Sequence, residues 1–517
     1  MTSAHSPALD GEPKHRGLIS ISVMLATVLQ TLDSTIANVA LPHMAGGLSA
    51  TQDQITWVLT SYIVAAAIAT PLTGWFSARF GRKRIFLLSV AGFTLASALC
   101  GIAGSLSEIV LARLFQGVCG AALVPLSQAV LLDINPPHKH GSAMAMFGMG
   151  VMVGPILGPT LGGWLTDSYN WRWVFYINLP IGLIAFFGIA TYMRETALQT
   201  AQKFDFFGFA TLSLAIGLLQ MLLDRGEQKD WFSSTEIWLE ALGAIISFAY
   251  FLVHTWTADE HSFFNRSLIK DRNFNTGVIY IFVVGLILYA TRALLPPLLQ
   301  TVLGYPALLT GLVTAPSGAG TMLAMLFVGR MVGRVDVRLL LGFGFALTAY
   351  SLYQMSGYTT VLSPSDIVWP GVIQGFGLGF VFVPLTTITF ATLAPSLRAD
   401  GTAIYSLSRN IGSSIGISIV QTLLTQNTQI AHASLAEYIT PFTSLGSAAQ
   451  TLLDPHNPTG LALLNQEVTR QAAMIAYNDD FKFMMIMTLL VMPLLLFIST
   501  KKSPQASGDE TLHVAID

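Results

Sequence analysis

Asp33 is the acid around which chemistry can be built in this sequence. It is the one carboxylate deep within the N-terminal apolar segments, about halfway along the first of them. A charge near the centre of a bilayer is costly and is rarely kept without a use. Burial raises a carboxylate's proton affinity and a nearby cation lowers it, so a group pulled both ways can change protonation as its surroundings open and close. Proton coupling and binding of a substrate cation both suit such a residue. A structural acid satisfied by amides such as Asn38 is the alternative.

Arg113 stands near the outer start of the fourth apolar segment, and Gln116 follows one helical turn later on the same face. A cation near Asp33 shifts its proton affinity; an interhelical hydrogen-bond anchor is the other reading of Arg113. Gln116 can contact a substrate or hold Arg113. Gln30, Asn38 and Gln374 are further polar candidates for a substrate-binding surface. Arg292 and Arg409 lie in or near spans of the C-terminal half, where no deep acid is expected to match them. They can bind anionic groups of a substrate, meet backbone carbonyls, or snorkel to an interface. After Arg292, Pro296 and Pro297 should break the helix near its outer end.

Gly150, Gly154, Gly158 and Gly162 recur every four residues, leaving one helix face without side chains for close approach by a neighbour. Pro155 and Pro159 kink that helix and remove backbone donors. The basic run Arg79, Arg82, Lys83 and Arg84, with apolar segments on both sides, reads as an orientation determinant and a contact for anionic membrane lipid, not a nucleic-acid patch.

The elements that must position these residues are membrane helices. The 517 residues are 53% hydrophobic and 10% charged, whereas a soluble protein carries about 25% charged residues. Segments of about 20 apolar residues fall near 17–40, 53–76, 84–104, 107–132, 139–164, 171–193, 205–224, 235–256, 272–301, 306–330, 337–356, 365–393, 397–425 and 477–500. With the N-terminus inside, 18 of the 26 Lys and Arg fall in cytoplasmic segments and 5 in external ones, the asymmetry that sets topology. The expectation is an all-α membrane protein with 14 transmembrane helices and both ends cytoplasmic. A long external loop of polar and amphipathic character is expected at 426–476 and a polar tail at 501–517. Net charge is −2, which gives no field for nucleic acid. Cys100 and Cys119, both inside apolar runs, suggest neither a disulfide framework nor a metal site. No phosphate-binding GxxxxGK[ST] segment, HExxH pair or nucleophile elbow is present, so no cofactor and no enzyme chemistry are expected.

GWFSARFGRKR from Gly74 has a weaker echo, GRMVGRVDVR, from Gly329. RLFQGVCGAALVP from Arg113 pairs with VIQGFGLGFVFVP from Val372. Repeated halves suggest two bundles around a central cavity. An N-terminal bundle would span 17–193 and a C-terminal bundle 272–500, with two inserted helices at 205–256 and a cytoplasmic N-terminus at 1–16.

LDSTIANVALP (Leu32 to Pro42), GWFSARFGRKR, RLFQG and GVMVGPILGPTLGG (Gly150 to Gly163) occur in this order. The set resembles the major facilitator superfamily, and with 14 spans it is similar to the drug:proton antiporter branch typified by EmrB and QacA. WRWVFYINLPIG, LLDRGEQKDWFSS and FVPLTTITF place it on the EmrB side of that branch. The resemblance covers roughly residues 17–500. It implies a major facilitator fold and proton-driven export of hydrophobic drugs. It ties Arg113 to proton coupling, makes the Gly-Pro run of Gly150 to Gly162 the antiporter signature, and makes Gly74, Arg79, Gly81, Arg82 and Lys83 the cytoplasmic loop motif. It also implies a cell inner membrane and partners forming a three-part pump, a periplasmic adaptor of the EmrA type and an outer-membrane channel of the TolC type. The family's loop motif usually has an acid before its first basic residue; here that position is Ala78, so a helix-capping ion pair is missing or rebuilt. A dedicated metabolite or siderophore exporter would share all these features.

Overall fold

The computed structural model describes residues 15–196, 204–257, 266–439 and 458–497. The expected N-terminal segment before residue 15, the centre of the outer loop at 440–457 and the tail at 501–517 lie outside them. Among the described residues there is no strand, only a single bridge between Val332 and Val335.

The main helices are α1 (Arg16–Gly47), α2 (Trp57–Ala69), α3 (Leu72–Phe80), α4 (Arg82–Ile102), α5 (Leu106–Gly120), α6 (Leu123–Asp133), α7 (His140–Ser168), α8 (Asn178–Tyr192), α9 (Phe206–Arg225), α10 (Thr235–Thr257), α11 (Arg272–Pro297), α12 (Ala307–Met331), α13 (Val337–Met355), α14 (Pro364–Ala391), α15 (Arg398–Glu437) and α16 (Pro458–Val491). Their starts follow sequence signals. Ser105, Asp205 and Asp271 accept from Glu108 N, Gly208 N and Phe274 N at 3.3, 2.8 and 3.0 Å, each satisfying an otherwise orphan donor. Gly81 ends α3 with φ +97°, a conformation that costs a side-chain-bearing residue but not glycine.

Among the described residues ten helices are long and apolar enough to cross a membrane, or 11 if α2 and α3, bent by 56° at their junction, count as one span. Polar residues lower the hydropathy of α13, α15 and α16, among them Arg338, Asp400, Arg409, Asp479 and Lys482. Large apolar side chains stand exposed around the outside, for example Leu88, Phe187, Ile245 and Leu339. In water such a surface would drive aggregation; in lipid it is solvated.

One half gathers α1 to α8, with α1 lying between α7 and α8. The other gathers α11 to α16. The halves meet where α7 runs along α12 and where α3 and α6 meet α15. Glycines set the approach of α7 to α12. A Cβ on Gly148 would come 2.6 Å from Met325, and one on Gly141 3.0 Å from the Gly329 carbonyl. At this seam Phe147 stacks on Phe382, ring centroids 6.4 Å apart. Helices α9 and α10 pair with each other, and α9 rests on α2 and touches α15.

Part of the segment expected as an external loop is helical. Residues 426–437 continue α15 and 458–476 begin α16, so both arms are helical. The 40 residues of α15 extend about 60 Å at 1.5 Å per residue, twice the hydrocarbon thickness. His432 and Asn465 join the arms at 3.0 Å, which lets their polar residues find partners beyond the bundle.

Candidate functional site

Asp33, Arg113, Gln116 and Asn178 are all completely buried, on α1, α5 and α8. Arg113 Nη1 donates to Asp33 Oδ2 at 2.7 Å and to Gln116 Oε1 at 2.8 Å. Gln116 Nε2 donates to Asp33 Oδ1 at 2.9 Å, and Asn178 Nδ2 to the same oxygen at 2.8 Å. Arg113 Nε reaches the Val58 carbonyl at 3.0 Å, and its guanidinium lies 4.2 Å from the Tyr62 ring centroid. Asn178 also donates to Ser97 Oγ, which donates in turn to the Phe175 carbonyl, each at 2.9 Å.

Every polar atom of Asp33 therefore has a donor, and its charge is met by one cation. Such an arrangement is needed to hold a carboxylate out of water. Charge-assisted bonds of this length are roughly twice as strong as neutral ones. A proton added to Asp33 would cancel its charge and change one oxygen from acceptor to donor, so three donors facing two oxygens would have to rearrange.

The glycine face of α7 lies directly on this stretch of α1. A Cβ on Gly154 would overlap the Thr31 carbonyl, and one on Gly158 the Thr35 hydroxyl; one on Gly162 would come 3.0 Å from the Ile36 carbonyl. Thr35 Oγ1 donates to the Gly154 carbonyl at 3.0 Å. Gly150 faces Met24 instead. Pro155 and Pro159 sit inside α7 and each removes one donor from its ladder. The proline-bearing helix thus bears on the turns that carry Asp33.

The other sequence candidates stand elsewhere. Asn38 is exposed and makes no contact with Asp33; Asn178 provides the amide instead. Gln30 donates to the Tyr62 hydroxyl at 3.3 Å, a second-hand link to Arg113. Gln374, buried, donates to Thr291 at 3.2 Å. Arg292 Nη2 points to Met152 Sδ at 3.3 Å across the seam, while its Nη1 is buried without a hydrogen bond. Arg409 is buried and among the described residues its Nε has no hydrogen-bond partner. The C-terminal half does hold a deep acid: Asp480 is fully buried and, among the described residues, neither carboxylate oxygen accepts a hydrogen bond. Its position near the expected start of the last span hid it from sequence reading.

At the basic end of the bundle the loop motif is tied to both halves. Arg82 pairs with Asp133, and Asp133 is reached at 2.7 Å by Arg398 of α15. The acid missing at Ala78 has a substitute. Glu195 accepts from Lys83 N and Arg84 N at 2.9 and 3.2 Å, capping the first turn of α4 where a negative charge is favoured. Lys83 Nζ donates to the Ala190 carbonyl at 2.6 Å. Gly74 lies against Asp400, whose carboxylate a Cβ there would overlap. Arg79 belongs to the same loop at the end of α3.

The Major Facilitator Superfamily profile matches residues 23–417. This chain belongs to the major facilitator superfamily. It is a multi-pass membrane transporter, not an enzyme. The chain is 38% identical over 469 residues to the multidrug export protein EmrB of Escherichia coli (strain K12), covering 90% of this chain and 91% of that one. It is 36% identical over 496 residues to the fatty acid resistance protein FarB of Neisseria gonorrhoeae, covering 95% and 97%. The crystal structure of the human organic anion transporter MFSD10 (TETRAN) superimposes with a TM-score of 0.59 over 93% of this chain and 99% of that one. At 14% identity that likeness concerns the fold alone.

Proposed function

We propose that this chain is a proton-driven multidrug efflux transporter, in which Asp33 binds and releases the coupling proton. The observation that carries the reading is the fully buried Asp33–Arg113 pair with its two amide donors. Protonation of Asp33 removes the attraction that holds α1 to α5, and the glycine face of α7 lets α1 shift against it. Gln30, Gln374, Arg292 and Arg409 are the polar groups left to face a substrate between the halves.

The helices add up to 14 spans when α13, α15 and α16 are counted with the 11 apolar ones. In this reading α1 to α8 form one bundle, α11 to α16 the other, and α9 with α10 the insert. The basic loops orient both termini toward the cytoplasm of an inner membrane. The arms of α15 and α16 then point outward, a docking surface for a periplasmic adaptor and, through it, an outer-membrane channel. Relatives named for multidrug export and multidrug resistance support the substrate class. The FarB relative supports a second reading, a narrower exporter of amphiphilic acids.

Resistance of a drug-sensitive host, measured with and without an uncoupler, tests the proposal. Export should cease when the proton gradient collapses. Resistance that persists without the gradient would sink the antiporter reading, and protection against fatty acids alone would favour the narrower one.

A further inference from the structure

A cavity of about 530 Å3 lies between the inserted helices and the C-terminal half. Its walls are apolar, with Leu212 and Ile216 of α9, Phe248 and Trp256 of α10, and Leu407 and Ile411 of α15 among them. The volume falls within the range of small-molecule sites. Phe248, Trp256 and Ile245 of its rim are exposed on the lipid-facing surface, so the cavity opens sideways into the membrane.

One charged side chain lines it, Asp400, in the first turn of α15. Among the described residues Asp400 makes neither a hydrogen bond nor an ion pair. Arg82, the cation whose field reaches it, is bonded to Asp133. The carboxylate sits at the basic end of the bundle, beside Gly74. From Asp400 the α15 wall runs through Ile404 and Leu407 to Ile411. The 11 steps along this helix from Asp400 to Ile411 rise about 16 Å, half the hydrocarbon thickness. The cavity thus has an anionic group at headgroup depth and an apolar body reaching toward the midplane.

We propose that this lateral cavity captures cationic amphiphiles from the adjoining leaflet, with Asp400 holding the ammonium head and α9 and α10 covering the tail. The charge pattern matches such a molecule end to end. An acid of the same length would bring two negative charges together, and a phospholipid would bring its phosphate toward the carboxylate. The site also gives the inserted pair of helices a function distinct from the proton site, and it does not depend on the coupling role of Asp33.

The test measures binding to the whole protein in nanodiscs of phosphatidylcholine, without a proton gradient. The probes are dodecyltrimethylammonium, dodecanoate and dodecanol. Wild type should prefer the cation. Asp400→Asn should weaken cation binding about tenfold or more while dodecanol is little changed, and Asp400→Lys should reverse the preference toward dodecanoate. The ratio between probes in one preparation is insensitive to the fraction folded. Phe248→Ala should weaken all three through loss of the wall. An unchanged cation-to-dodecanol ratio in Asp400→Asn would overturn the proposal. So would displacement of the cation by phosphatidylethanolamine added to the disc, which would make the cavity a lipid site.

Discussion

Arg113 Nη1 stands 2.7 Å from Asp33 Oδ2, with both side chains sealed from solvent. Removing one member of a buried pair strands the other, at a cost of about 3–5 kcal/mol. Asp33→Asn and Arg113→Gln should each lower thermal stability by an amount of that order. The double variant should recover much of the loss while transport stays absent. Thermal unfolding and drug-driven proton movement in proteoliposomes separate the two effects. Proton movement retained in Asp33→Asn would contradict the coupling role.

Asn178 bonds both Asp33 and Ser97. Asn178→Leu leaves two buried oxygens short of a donor, at a cost of about 1–3 kcal/mol. The expected result is a several-fold fall in transport and a shift in its pH profile. A profile identical to wild type would reduce Asn178 to packing.

The glycines of α7 divide into close and open positions. Gly154→Leu meets the Thr31 backbone, whereas a Cβ on Gly163 finds its nearest neighbour, Val39, at 4.0 Å. Overpacking costs about 1–3 kcal/mol, so Gly154→Leu should abolish transport and Gly163→Ala should leave it near wild type. Equal transport by both would remove the sliding-contact argument.

Asp133 joins Arg82 to Arg398 across the two halves. Asp133→Asn weakens both pairs and should raise the reactivity of a cysteine introduced at Ala145, which packs against Gly329 at the same seam. Unaltered labelling would show that the glycine contacts of α7 and α12 close this end without the ion pairs.

The helical arms carry the adaptor proposal. Replacing residues 426–476 with a short Gly-Ser linker removes both arms, and with them the His432–Asn465 contact, and leaves the spans. Co-purification with the adaptor should fall while folding persists. Undiminished co-purification would rule the arms out as the docking surface.

Local pattern reached the helices and their order because a bilayer demands long apolar runs and backbone bonds satisfied within each helix. The limits of α9 and α10 lie within one residue of those read from hydropathy. Asp33 and Arg113 were legible because a charge in an apolar run is conspicuous, and Gln116 because it lies one helical turn from Arg113 on the same face. The outer arms were not, since a polar amphipathic helix beyond the bilayer has the composition of a loop.

The sequence by itself determined that the chain lies in a membrane, that α7 has a side-chain-free face, and that one acid and one cation in the N-terminal half need partners. Tertiary structure decided which partners they found. Asn178, 145 residues from Asp33, supplies the amide for which Asn38 was one alternative, because α8 packs beside α1 while Asn38 turns to the exposed face. Folding likewise brought Asp400 of α15 to Gly74 of α3 and left its carboxylate in the wall of an apolar cavity. Neither neighbour is encoded in local spacing. Both arise from helix packing, which joins residues by crossing geometry and not by distance along the chain.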